Sequence, residues 1–100
     1  MRALHYLSAG MLLAASIAGA QTAADHIALG DKEYVAMNAP AALQHYEETI
    51  KLEPKNYEAL WKASRSDVDL GSAERNEEKL GLYFSTAERC ARTAGAVTTG

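Results

Sequence analysis

The chain has 100 residues and a formal net charge of -3, ten Lys and Arg set against thirteen Asp and Glu. That is length for one small domain, and a charge so modest and dispersed gives neither a nucleic-acid footprint nor an acidic tail. The one cysteine, Cys90, excludes an intramolecular disulfide framework, and two Pro and seven Gly among many Ala, Leu, Glu and Lys favour helix over sheet.

Residues 1–20 have the three-part form of a secretory signal. Met1-Arg2 is a short positive start. Leu4 to Ala18 is largely apolar, with Leu7, Met11, Leu12, Leu13 and Ile17 as its bulk. Ala18-Gly19-Ala20 places small residues where a signal peptidase reads, so cleavage is expected after Ala20, leaving a periplasmic or secreted protein. No cysteine follows the cut, which argues against a lipid anchor. The alternative is an uncleaved membrane anchor, but His5, Tyr6 and Ser8 shorten the clean apolar run to about ten residues, below the roughly 20 of a spanning helix. No later segment is apolar enough to span, so no membrane insertion is expected after cleavage.

The mature chain reads as four helices. The first is expected over Ala23 to Ala36, with Thr22 as cap and Asp25 placed to reach back to it. Ile27, Leu29, Tyr34, Val35 and Met37 supply its apolar bulk. Gly30 costs about 1 kcal/mol inside a helix, and close approach of Ala42 from the second helix is the natural reason for it. The second helix is expected over Ala39 to Leu52, with Asn38 as cap and Pro40 in the first turn, where its missing N–H has no helical partner. Ala42, Leu43, Tyr46 and Ile50 form its inward face, Glu47 and Lys51 an outer i,i+4 pair, and Glu53-Pro54 its end.

The third helix is expected from Asn56, its cap, to Leu70, with Leu60, Ala63, Ser64 and Val68 inward and Gly71 as a C-terminal glycine cap. Ser72 is expected to cap the fourth, with Glu74 in its first turn. Leu80, Tyr83, Phe84, Ala87, Cys90, Ala91 and Ala94 then follow the helical period. Residues 95–100 read as a flexible tail or a truncated end.

Residues 23–56 resemble a tetratricopeptide repeat. The family pattern is W-x2-L-G-x2-Y, then A-x3-F, then P over 34 residues. His26-x2-Leu29-Gly30 takes the first part, Ala42-x3-Tyr46 the second, and Pro54 closes it. His26 stands where the family prefers Trp, Glu33 where it prefers Tyr (Tyr34 is one place late), and Thr49 where it prefers a small residue. Leu60 and Ser64 lie 34 residues after His26 and Gly30 and open a second repeat. Ala87, Ala91 and Ala94 match the small-residue spacing of that repeat's second helix but arrive about eleven residues late, so Ser72 to Leu82 reads as an insertion. This extended pair, with EALW opening it, is weakly similar to the repeat domain of regulator-of-microtubule-dynamics proteins. The resemblance implies an all-α fold in which antiparallel helix pairs stack as a short α-solenoid. Two repeats fall below the three or so that such arrays need, which implies a piece of a longer array, a homodimer closing the last helix, or a marginal fold.

In that family the first helix of each pair lines a concave groove for a peptide. Carried over by position, this implies Ile27, Asp31 and Tyr34 from the first repeat and Trp61, Arg65 and Asp69 from the second. Trp61, Arg65 and Asp69 are four apart and share a helix face, and Trp and Arg most often dominate binding energy. The competing reading makes Trp61 core and pairs Arg65 with Asp69 on a solvated face. Arg65 with Lys62 could receive a carboxylate, but the basic set of a carboxylate clamp is incomplete.

Other chemistry is weakly signalled. Asp67 to Glu78 partly matches a calcium loop, but Ser72 occupies the place that needs Gly, and a helix-capping loop explains the same residues. His26, His45 and Cys90 have no recognised zinc spacing, although the two histidines could meet across the first hairpin. Cys90 reads as a small buried residue. No nucleophile–base arrangement or phosphate loop is present, so neither an enzyme nor a cofactor is expected. The sequence therefore points to an exported interaction module or scaffold for a protein or peptide partner, or else to a structural subunit that self-associates through its last helix.

Overall fold

The computed structural model describes residues 21–99; the expected signal segment, residues 1–20, lies outside the described residues. The fold is all-α, with four helices: α1 Ala23–Val35, α2 Ala39–Leu52, α3 Tyr57–Ala73 and α4 Glu77–Thr99. Local capping chemistry explains their starts. Thr22 Oγ1 accepts from the Asp25 amide at 3.1 Å while Asp25 Oδ2 accepts from the Thr22 amide at 2.9 Å, a reciprocal capping box. Asn38 and Asn56 cap α2 and α3 by accepting from the amides of Ala41 and Ala59. Asn76 caps α4 by accepting from the Lys79 amide.

α1 ends in a Schellman turn. The Met37 amide donates to the Tyr34 carbonyl and the Asn38 amide to the Glu33 carbonyl. The reversal puts Met37 at φ 61°, a left-handed position that favours glycine. Its side chain, expected to add apolar bulk, is in solvent, as is that of Val35.

Several expectations for the second half are corrected. α3 does not stop at Leu70: it runs through Gly71 and Ser72 to Ala73. Gly71 is therefore no cap, and Ser72 does not start the next helix. A Cβ on Gly71 would lie 2.7 Å from Phe84 Cε1, so its missing side chain makes room for the α4 aromatic ring. Glu74 lies in the connection, where its Oε1 accepts from the amides of Arg75 and Asn76, and α4 begins at Glu77. The extra length is thus shared between α3, at 17 residues, and α4, at 23. α4 also continues past Gly95 to Thr99, because Ala94 is buried and Val97 half-buried on the stripe begun by Ala87 and Cys90.

Each helix packs on the next. α1 and α2 pair antiparallel: Thr49 Oγ1 donates to the Ala23 carbonyl at 2.9 Å at one end, and toward the other the fully buried Tyr46 ring lies against Gly30. It is Tyr46, rather than Ala42, that the missing Cβ of Gly30 admits. α3 and α4 also pair antiparallel, through Gly71 on Phe84 and a 2.8 Å bond from Ser64 Oγ to the Ala87 carbonyl. Ala42, Tyr46 and Ala63 form the core, with Tyr34, Leu43, Ile50 and Cys90 packed around them. On α3, Leu60 and Ala63 turn inward as expected, but Val68 is exposed and Asp67 is buried in its stead. Outside, Lys51 pairs with Glu48 at 3.1 Å rather than with Glu47.

Candidate functional site

α1 and α3 meet through long side chains. Asp31 reaches Lys62 and Tyr34 reaches Arg65, so three residues along α1 correspond to three along α3. The two helices therefore run side by side in one direction. Between them is a shallow depression of about 430 Å³ lined by Asp31, Tyr34, Val35, Glu58, Trp61, Lys62 and Arg65.

A half-buried hub supports it. The Tyr46 hydroxyl donates to Asp31 Oδ1 at 2.7 Å. Lys62 Nζ donates to Asp31 Oδ1 at 2.9 Å, to Asp31 Oδ2 at 2.8 Å and to Glu58 Oε2 at 2.7 Å. Such charge-assisted bonds are the strong ones, and here they fix three helices relative to one another. Burial works against the charge on both partners, but Lys62 and Tyr46 outweigh it at Asp31 and hold that carboxyl below its usual range. Asp31 and Glu58 likewise outweigh burial at Lys62 and raise its value. The Tyr46 phenol is pushed well above its ordinary range, first by burial and then by the neighbouring Asp31 carboxylate.

Arg65 lies over this hub. Its guanidinium carbon is 3.4 Å from the Tyr34 ring centroid and 5.1 Å from that of Trp61. A guanidinium over aromatic faces gains cation–π attraction, more so when partly desolvated. One nitrogen donates to the Tyr46 hydroxyl at a long 3.4 Å, while Nε is closed off from solvent with no acceptor. Lys62 Nζ, 5.6 Å from the Trp61 ring, adds a second cation beside the indole, although its own charge is engaged by carboxylates.

Four of the six candidate residues, Asp31, Tyr34, Trp61 and Arg65, come together here. Ile27 does not: it is buried. Asp69 lies exposed one turn beyond Arg65, outside the lining of the depression. The local Arg65–Asp69 pair does not form, because the guanidinium turns instead to Tyr34 and Tyr46. Sequence reasoning missed Tyr46 as the underpinning of the site and Glu58 as a partner of Lys62. The i,i+4 spacing of Glu58 and Lys62 was the available signal for the latter.

The remaining motifs resolve differently. Asp67, Asp69, Gly71 and Ser72 all lie within α3, so they cannot wrap a cation as a calcium loop does. His26 and His45 do meet across the first hairpin, with ring centroids 6.2 Å apart. Among the described residues no three His, Cys, Asp or Glu side chains are grouped to hold a metal. No helix among them is long and apolar enough to cross a membrane. No family model, curated protein or solved structure matches the chain.

Proposed function

We propose that this protein is an exported, non-catalytic interaction module with tetratricopeptide-like packing, which binds a segment of a partner protein on the face shared by α1 and α3. The observation that carries the reading is the Tyr34–Arg65–Trp61 stack: two aromatic rings and a guanidinium, at the surface but fixed from below by Asp31, Lys62 and Tyr46. Pre-ordered aromatic and Arg side chains lose little freedom on binding, which is what makes such residues dominate interfaces. The parallel course of α1 and α3, with each helix packed on the next, supports the repeat-like reading.

The test is selection of peptides from a random display library against the processed protein, followed by calorimetry on variants. Trp61→Ala and Arg65→Gln are each expected to weaken the selected peptide at least about tenfold, with the helical circular dichroism unchanged. Peptides that bind equally well to both variants would place the binding face elsewhere. Loss of helicity in either variant would make that residue structural.

A second reading has its own observation. Leu82 and Phe84 remain exposed on α4 although Ala87 and Ala94 of the same helix are buried. A subunit that self-associates through α4 would show a solution mass rising with concentration, and Leu82→Asp would abolish the rise.

A further inference from the structure

The first hairpin holds a side-chain pair that the α1–α3 face does not use. His26 of α1 and His45 of α2 bring their imidazoles together, with ring centroids 6.2 Å and planes 31° apart. That tilt is neither the parallel offset of a stack nor the right angle of an edge-to-face pair, so aromatic attraction does not account for the contact. Hydrogen bonding does not account for it either. No ring nitrogen of the two has a hydrogen-bond partner among the described residues, and His26 Nδ1 is closed off from solvent as well. A covered nitrogen with nothing to bond is uncommon, and a bound ion is one way of satisfying it.

The surroundings favour a cation. Asp25 lies within electrostatic range of His26 and adds negative charge there. It supplies field rather than a ligand, since its Oδ2 accepts from the Thr22 amide at 2.9 Å. The ring separation then selects among cations. An imidazole nitrogen holds a metal at about 2 Å, which puts the ring centroid about 3.2 Å from the ion. Two imidazoles on opposite sides of one ion therefore stand about 6.4 Å apart, whereas tetrahedral or square-planar neighbours stand at roughly 4.5–5 Å. The observed 6.2 Å is close to the first arrangement. Ligand number agrees. Among the described residues no third His, Cys, Asp or Glu joins the pair to hold a metal. Zinc asks for four ligands, and magnesium and calcium for six or more oxygens. The closed-shell monovalent ion copper(I) is satisfied by two nitrogens in line, and imidazole suits copper.

We propose that His26 and His45 form a two-coordinate site for copper(I), a clip between α1 and α2. The ion takes the place of the missing hydrogen bonds. It ties together the two helices whose packing, Tyr46 on Gly30, sets the α1–α3 face. Only the folded hairpin brings the two imidazoles within reach of one ion, so binding stabilises the fold.

The test uses silver(I), an air-stable ion of the same charge and the same two-coordinate habit. Silver nitrate is titrated into the full chain in chloride-free buffer at neutral pH, and the imidazole nitrogens are followed by proton–nitrogen correlation NMR. Cys90→Ser is the reference, so that the thiol does not compete. One equivalent is expected to shift one ring nitrogen of His26 and one of His45 together, and to raise the melting temperature by several degrees. In the parent the same shifts are expected by the second equivalent, once the thiol is filled. His26→Gln and His45→Gln are each expected to weaken binding at the remaining histidine at least about tenfold, because a lone imidazole loses the effective concentration of its partner. Copper(I), added without oxygen against a coloured chelator, is expected to rank the variants in the same order. Circular dichroism establishes that each variant is folded, and if one replacement unfolds the chain the other carries the comparison. Shifts confined to one histidine overturn the site, as does a silver affinity that neither replacement lowers. Zinc(II) held by the pair as tightly as silver(I) overturns the two-coordinate assignment.

Discussion

The same substitution, glycine to alanine, is expected to have opposite effects at two helical positions. At Gly81 in α4 a Cβ would meet nothing within 4 Å. Alanine there adds helix propensity alone and stabilises by up to about 1 kcal/mol. At Gly30 in α1 the Cβ would lie 2.5 Å from Tyr46 Cε1 and 2.8 Å from Cδ1. The ring cannot step aside easily, since it is fully buried and its hydroxyl is tied to Asp31 at 2.7 Å. The propensity gain of about 1 kcal/mol is then set against overpacking of about 1–3 kcal/mol and a charged hydrogen bond of about 1.5–3 kcal/mol that the displaced ring would lose. The net expected loss is about 1.5–5 kcal/mol. In a domain of this size each kcal/mol moves the melting temperature by roughly 4–8 °C. Thermal melts followed by circular dichroism at matched concentration measure both variants. A Gly30→Ala variant as stable as its parent would refute the claim that Gly30 is present to admit Tyr46.

Two further outcomes follow from single features. Met37→Gly is expected to stabilise by about 0.5–1 kcal/mol in urea melts, because the residue is left-handed and solvent-exposed, and Gly relieves that strain at a smaller entropic cost. Asp67 and Asp31 should tilt the pH profile in opposite directions. The Asp67 carboxyl is raised from 3.8 to about 6 in the folded chain, so its contribution is fully present below about pH 4 and is lost as pH rises to about 6. That loss has a ceiling of about 3 kcal/mol, and urea melts of Asp67→Asn across this range should lack the decline. The Asp31 value is lowered, so its contribution is present above its ordinary value of 3.8 and fades as pH falls below that. Asp31→Asn should therefore be destabilised at neutral pH and converge on the parent in acid.

The first hairpin was legible because its signals are local. Thr22 with Asp25, Asn38 with Pro40, and Glu53-Pro54 each act within one helical turn, and each works as the pattern indicates. Gly71 was misread for the opposite reason. A glycine after a periodic run has the local form of a cap, and only Phe84, on the following helix, reveals the need for an uninterrupted groove. Val68 and Asp67 were exchanged on similar grounds. Hydrophobicity alone puts the valine inside, but α3 is clamped by α2 and α4 together, and the stripe these two cover holds Ala59, Leu60, Ala63, Ser66 and Asp67. The sequence carries no cue that a carboxyl is to be buried there.

The candidate site shows the same division, and there it bears on function. Local rules offer Arg65 a partner four residues on, Asp69, and an exposed pair of that kind is worth only a few tenths of a kcal/mol. Across the α1–α3 contact Arg65 finds the Tyr34 face at 3.4 Å and the Tyr46 hydroxyl. Stacking on a partly desolvated ring is worth more than the local pair, so the tertiary arrangement wins. Tyr46 is what joins the two levels. Its ring fills the space that Gly30 vacates, and its hydroxyl accepts from Arg65 and donates to the Asp31 carboxylate that also holds Lys62. The surface that presents Trp61 and Arg65 is therefore set by the packing of the first hairpin. A change at Gly30, remote in kind from any binding residue, should alter the site and the fold together.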